Sequence, residues 1–257
     1  NTSSLRALFL GFLLLIPFSS ILAQAKELRL VAWNIEHLAE RNGEGCVPRY
    51  DEDYENLRAF AQTLDADVVS LQEVESEAAV ARIFPEDSWD IILSERASSR
   101  SYECRGSGNT STQQKVAIAV RKGVAYENVG SYKELGLDVE GLRYGVVVRL
   151  FGEVDTVDVM AVHLKSGCFV DDYSTSDRRA CEVLERQVPV LDQWVEDHVS
   201  AKDKFVILGD FNHRLANPEN KLWTVLTEMN GEQVQILNSM QQLEGCHPRY
   251  PKPIDHI

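Results

Sequence analysis

The chain has 257 residues, 44% of them hydrophobic and 26% charged, which is enough chain for one large α/β domain or two small ones. Its 40 acids against 26 bases give a formal net charge of −14, so the surface as a whole repels polyanions. This excludes a protein that coats nucleic acid through a general basic surface, and a phosphate-bearing ligand would need a local basic site or a bound cation.

Residues 1–25 read as a targeting segment. Arg6 precedes an apolar run from Ala7 to Ile16, then Pro17 and the small-x-small signature Ala23-Gln24-Ala25. A signal peptide is expected, and the apolar run is too short for a comfortable membrane span. An anchor that stays attached is the alternative. The mature protein is expected to be secreted or periplasmic, monomeric and without stable membrane association. Asn1 in place of a Met reads as a fragment at this end. Export makes the five cysteines candidates for disulfides. Cys168 and Cys181 flank a short polar loop, Cys46 and Cys104 sit in two other loop-like stretches, and Cys246 is left odd.

Strands and helices then alternate along the chain. Residues 28–34 read as a strand, and residues 54–64 as a helix with Leu57, Phe60, Ala61 and Leu64 at i, i+3, i+4 and i+7. Residues 67–74, 115–123 and 144–151 read as strands, and residues 155–164 pair with the last of these as a hairpin. The longest helix is expected from Asp177 to Val199, with Pro189 a possible kink. A buried strand at 204–212 and a short helix at 220–229 follow. No repeat or linker divides residues 26–257, so one domain is expected, with sheets covered by helices on their outer faces.

Four strands end in polar residues just where the apolar run stops. They deliver Asn34 and Glu36, then Gln72 and Glu73, then His163, and finally Asp210 and Asn212. One such carboxylate is most often a helix cap or a solvated turn. Four strand ends in one chain point instead to a shared cleft held by rigid elements. Oxygen donors without a Cys/His cluster suit a hard ion, Mg²⁺ or else Mn²⁺ or Ca²⁺.

In this order, "LVAWNIE", "DVVSLQEV", "VMAVHLKSG" and "VILGDFN" resemble the endonuclease/exonuclease/phosphatase superfamily, the deoxyribonuclease I-like proteins, from Leu28 to the last residue. The resemblance implies an α/β fold. Its form is a four-layer α-β-β-α sandwich, two mostly antiparallel sheets face to face with helices outside. It also implies metal-dependent phosphoester hydrolysis by in-line attack of water. By the same resemblance Asn34, Glu36 and Glu73 serve the metal, and Asp210 orients or deprotonates the water. Asn212 then donates to a phosphate oxygen, His163 stabilises or protonates the reacting oxygens, and Arg143 contacts phosphate.

The closing "PKPIDHI" offers Asp255 and His256 side by side. In the family pattern Asp255 looks like the aspartate that orients a second catalytic histidine. That histidine would lie in a Ser-Asp-His motif beyond Ile257, so the site within this chain is expected to be incomplete. His256 is then a strand residue facing away from Asp255; the other reading makes the two a catalytic pair. "STQQK" (111–115) departs from the Tyr or Glu that nuclease members often carry there, and Arg178 and Arg179 stand either near a polyanion or as a solvated helix start. The expected function is a secreted divalent-metal-dependent phosphodiester hydrolase, an endonuclease acting on DNA or RNA. The alternatives are a phosphatase or sphingomyelinase-like phosphoesterase, and a non-catalytic binding protein.

Overall fold

The computed structural model describes residues 27–153, 155–229, 231–239, 242–244 and 252–257. The expected signal peptide and Cys246 lie outside the described residues. In chain order the elements are β1 (Leu30–Leu38), α1 (Asp51–Thr63), β2 (Val68–Val74), α2 (Glu77–Ala81), β3 (Trp89–Leu93), β4 (Lys115–Arg121) and β5 (Tyr126–Tyr132). They continue with β6 (Gly145–Phe151), β7 (Thr156–His163), α3 (Arg179–Ala201), β8 (Lys204–Asp210), α4 (Lys221–Leu226), β9 (Glu228–Met229), β10 (Glu232–Gln233) and β11 (Asp255–His256).

One sheet has the order β1-β2-β4-β3 and the other β11-β8-β7-β6-β5, while β9 and β10 form a separate ribbon. Each sheet has one parallel pair, β1 with β2 and β7 with β8, and is otherwise antiparallel. Strand alternation builds the layers. Val68, Ile118, Val120, Val146, Val148, Val159 and Leu208 meet between the sheets. Their neighbours Val69, Leu71, Ala117 and Ala119 point the other way, against Tyr54 and Ala61 of α1 and Val80 of α2. On the far side Val147, Met160 and Val162 pack on Leu184, Val188, Leu191 and Trp194 of α3. The result is the four-layer α-β-β-α sandwich. Each such aliphatic side chain contributes about 2 kcal/mol by leaving water.

The strands with two buried faces are those the apolar runs revealed. β3 and β5 were not expected. β5 reads Tyr-Glu-Asn-Val-Gly-Ser-Tyr, lies at a sheet edge, is half exposed and slips register between Asn128 and Gly130, so it lacks an apolar run. α3 runs from Arg179 to Ala201 through Pro189, and α4 stops at Leu226, three residues short of the expected end. Disulfides join Cys46 to Cys104 and Cys168 to Cys181.

Where the sheets face each other near their polar ends, Gln72 Nε2 donates to Ser70 Oγ (2.7 Å), and that hydroxyl donates to the Leu208 carbonyl (3.3 Å). Gly209 follows, with φ of +137°. A Cβ there would run into the Val162 carbonyl oxygen and lie 2.9 Å from Gln72 Nε2, so only glycine lets β8 approach β7 this closely.

Candidate active site

The apolar runs of β1, β2, β7 and β8 end on the same edge of the sandwich. Two of these ends are irregular. β1 loses register with β2 between Asn34 and Leu38, and β2 with β4 between Gln72 and Val74. The residues that break the ladder hold left-handed backbone: Glu36 (φ +53°), His37 (+53°), Glu73 (+62°) and, beyond β8, Asn212 (+54°). Each costs about 1 kcal/mol or more in a non-glycine residue, and such strain gathers where surroundings over-determine a side chain's aim. Arg49 supplies part of that constraint. Its guanidinium donates to the carbonyls of Ile35 (2.9 Å), Glu36 (2.8 Å) and His37 (3.2 Å), clamping the bulge from behind.

The site carboxylates converge on one amide. Asn34 Nδ2 donates to Asp210 Oδ2 at 2.9 Å and lies 3.4 Å from Glu73 Oε1. Asp210 Oδ1 accepts the Asn212 backbone N–H at 2.7 Å, which fixes the carboxylate plane. The Asn212 side chain donates to the Leu164 carbonyl (3.1 Å). His163 lies alongside, with Nε2 3.7 Å from Asp210 Oδ2 and its buried Nδ1 without a partner. Asp255 pairs with Asp210 across β11 and β8, and its Oδ1 is likewise buried and unpartnered. Glu36 stands apart. It is exposed, its backbone N–H donates to Asn34 Oδ1 (3.0 Å), and among the described residues no contact joins its carboxylate to Glu73.

His256 follows the strand alternation away from this group. It is 2% exposed, pairs with Gly209, and has Nε2 2.9 Å from the His213 carbonyl. Burial pulls its pKa down to about 4, so it is a neutral core imidazole at neutral pH.

Gln114 is the residue that sequence reasoning missed. Its Nε2 donates to Glu73 Oε2 (2.8 Å), and its Oε1 accepts from Tyr102 OH (3.2 Å) and Arg143 Nη2 (3.3 Å). It therefore stands in "STQQK" as the joint between the acid cluster and the phosphate-contact candidate Arg143. His37 is a second, with Nε2 3.6 Å from Glu73 Oε2. The available signals were that His37 directly follows Glu36 and that Gln114 lies in the flagged stretch "STQQK".

The electrostatics follow from burial and crowding. Burial, then Asp210 and Glu73, push Asp255 up to about 7. Burial also raises Asp210, against the pull of the Asn34 and Asn212 hydrogen bonds. His163 is pushed well down by burial, then by Arg143 and Lys165, and is neutral. Three crowded acids are what a cation would relieve, and the donors are hard oxygens. Among the described residues no three His, Cys, Asp or Glu side chains are placed to enclose a metal by themselves. The donor set fits an ion that keeps several water or substrate ligands, as Mg²⁺ does.

No curated protein matches the sequence. Solved structures match it over most of its length at low identity. D. rerio TDP2, complexed with single strand DNA product, is 14% identical with a TM-score of 0.52 over 89% of this chain and 82% of that one. The human Nocturnin catalytic domain with bound sulfate anion is 14% identical, with a TM-score of 0.53 over 89% and 80%. An endonuclease/exonuclease/phosphatase family protein from Bacteroides thetaiotaomicron is 12% identical, with a TM-score of 0.54 over 91% and 82%. At such identities these likenesses establish the fold. The family itself is established by the match of the Endonuclease/Exonuclease/phosphatase family model to residues 31–257, which spans both sheets and every strand end described above. The chain belongs to the endonuclease/exonuclease/phosphatase family.

Proposed function

We propose that this protein is a secreted or periplasmic, divalent-metal-dependent phosphodiester hydrolase that acts on nucleic acid as an endonuclease. The observation that carries the reading is the Asn34 amide shared between Asp210 (2.9 Å) and Glu73 (3.4 Å), which couples two acids with distinct surroundings at one point. Asp210, held by Asn34 and by the Asn212 N–H, is the base that aligns water and takes its proton as the new O–P bond forms, while the opposite P–O bond breaks and the leaving oxygen takes a proton from solvent. His163, neutral and buried, donates an N–H to a phosphoryl oxygen, and Asn212 has a second amide hydrogen for the same purpose. Arg143, braced by Gln114, faces the charge that builds on phosphate. A divalent cation held by Glu73 with Asn34, and with Glu36 at the rim, would offset negative charge on the phosphoryl oxygens. Asp255, whose buried Oδ1 has no partner, is the carboxylate available to orient an imidazole beside the site.

Family membership supports phosphoester hydrolysis, and the TDP2 neighbour with its DNA product is consistent with nucleic acid as substrate. The two disulfides support an oxidising compartment. The test is hydrolysis by the full-length mature protein of plasmid DNA, RNA, a bis-aryl phosphodiester and sphingomyelin, in Mg²⁺ and in EDTA. DNA or RNA cut internally only in Mg²⁺ is the expected result; cleavage of none of the four contradicts the reading.

A further inference from the structure

Beside the acid cluster lies a recess of about 600 Å³ whose lining includes Arg96, Gln114, Arg143, Lys165 and Arg179. Its acid, Glu140, is already engaged by Arg100 through the backbone N–H (3.0 Å) and the guanidinium (3.9 Å). A chain of net charge −14 thus gathers Arg96, Lys165 and Arg179 with no ion pair among the described residues, beside Arg143, which faces Glu73 and Asp210.

Arg96 is the most telling of them. It is 4% exposed, yet its Nε and Nη1 have no partner, and Nη2 reaches only Gln113 Oε1 (3.3 Å) and the Gln114 carbonyl (3.5 Å). Arg143 Nε is also buried and unpartnered. A buried guanidinium without a counter-charge is costly, and five donors in a fixed fork match a phosphate. Burial and Arg143 lower the affinity of both Arg96 and Lys165 for their protons, as expected of cations crowded without an anion. The 23-residue helix α3 begins at the same recess, which Arg179 and Ala180 line, and no side chain caps its first turn. A long helix presents free N–H groups and a partial positive charge at such an end.

We propose that this recess is a second phosphate subsite, so that the preferred substrate carries another phosphate group beside the scissile phosphodiester. Arg96, Lys165 and the start of α3 with Arg179 hold that second phosphate, while Arg143 stands between it and the scissile one. The consequence for catalysis rests on the hydrolase reading above, whereas the binding of phosphate does not. Substrates with a single phosphate, such as a bis-aryl diester or sphingomyelin, leave the recess empty. A nucleotide chain fills it.

The experiment has two arms, both on the full-length protein. In EDTA, calorimetric titration with inorganic phosphate is expected to give saturable binding, weakened about tenfold or more in Arg179→Gln/Lys165→Gln. The exposed Arg178→Gln, outside the recess, serves as control and binds as wild type. In Mg²⁺, KM for a dinucleotide bearing a terminal phosphate is expected to be about tenfold below that for the unphosphorylated dinucleotide, and the double variant removes the ratio. Because Arg179 is exposed, this variant does not depend on disturbing the buried Arg96. Phosphate binding that the double variant leaves unchanged, or a KM ratio near one in wild type, overturns the subsite. Phosphate binding sensitive to the double variant in a protein that hydrolyses nothing sustains the subsite and sinks the hydrolase reading.

Discussion

At the floor of the cleft, Glu73 and Asp210 each accept two or more hydrogen bonds, including one each from the distant Asn34, and strained backbone at Glu36, His37 and Glu73 fixes their aim. In the adjoining wall, Arg96 and Arg143 leave three buried guanidinium nitrogens without partners. Glu73 and Asp210 are satisfied as hydrogen-bond acceptors but crowd one another; Arg96 and Arg143 each reach neutral acceptors through Nη2 only. The difference teaches that the two halves await opposite charges. The floor is prepared for a cation and the wall for an anion, with Gln114 bonded to both.

The strongest attempt to break the floor is Glu73→Gln. It should lower kcat by about 100-fold or more and raise the metal concentration needed for half-activity, measured by titrating Mg²⁺ against hydrolysis. Gln114→Ala removes the joint without touching either charge. A loss of about tenfold is expected, shared between KM and kcat because both Glu73 and Arg143 lose a brace, and wild-type kinetics would show that floor and wall act independently. Arg49→Ala leaves three carbonyls of the bulge without a charged donor. It should destabilise the fold by about 1–3 kcal/mol in denaturant melts, with a smaller effect on activity.

The pH dependence of stability, measured in EDTA, sharpens the contrast within β11. His256 is depressed from 6.5 to about 4, so its contribution is full above pH 6.5 and is lost as pH falls through 4. Asp255 is raised from 3.8 to about 7, so its contribution is full below pH 3.8 and is lost as pH rises through 7. Between these limits the contributions of these two groups oppose each other. Asp255→Asn should expose a rise with pH, and His256→Gln a fall, each by up to about 1.4 kcal/mol per pH unit. Parallel curves for the two variants would show that the paired burial described here is wrong.

Much of this was legible in the sequence, for a definite reason. β2, β4, β6, β7 and β8 are largely buried on both faces and therefore read as predominantly apolar runs, and the polar residues at their ends stand out. β3 and β5 do not, because β3 is only five residues long and β5 is a half-exposed edge. Asn34, Glu73, His163 and Asp210 were marked by strand ends and by family resemblance. Gln114, Arg49 and Arg96 lie in loops, and their partners are set by tertiary contacts such as Gln114 to Glu73, 41 residues apart. No local pattern encodes that meeting. Glu36 was read by family resemblance as a further acid near the metal, and the left-handed bulge places it at the exposed rim.

The central claim is that Asp210, positioned by Asn34, activates water for attack on a phosphodiester. It is tested most directly by following plasmid cleavage by the full-length protein and by Asp210→Asn at saturating Mg²⁺. The account predicts a loss of about 1,000-fold or more in kcat with the fold intact by circular dichroism and melting temperature. Cleavage by Asp210→Asn within a few-fold of wild type would contradict it.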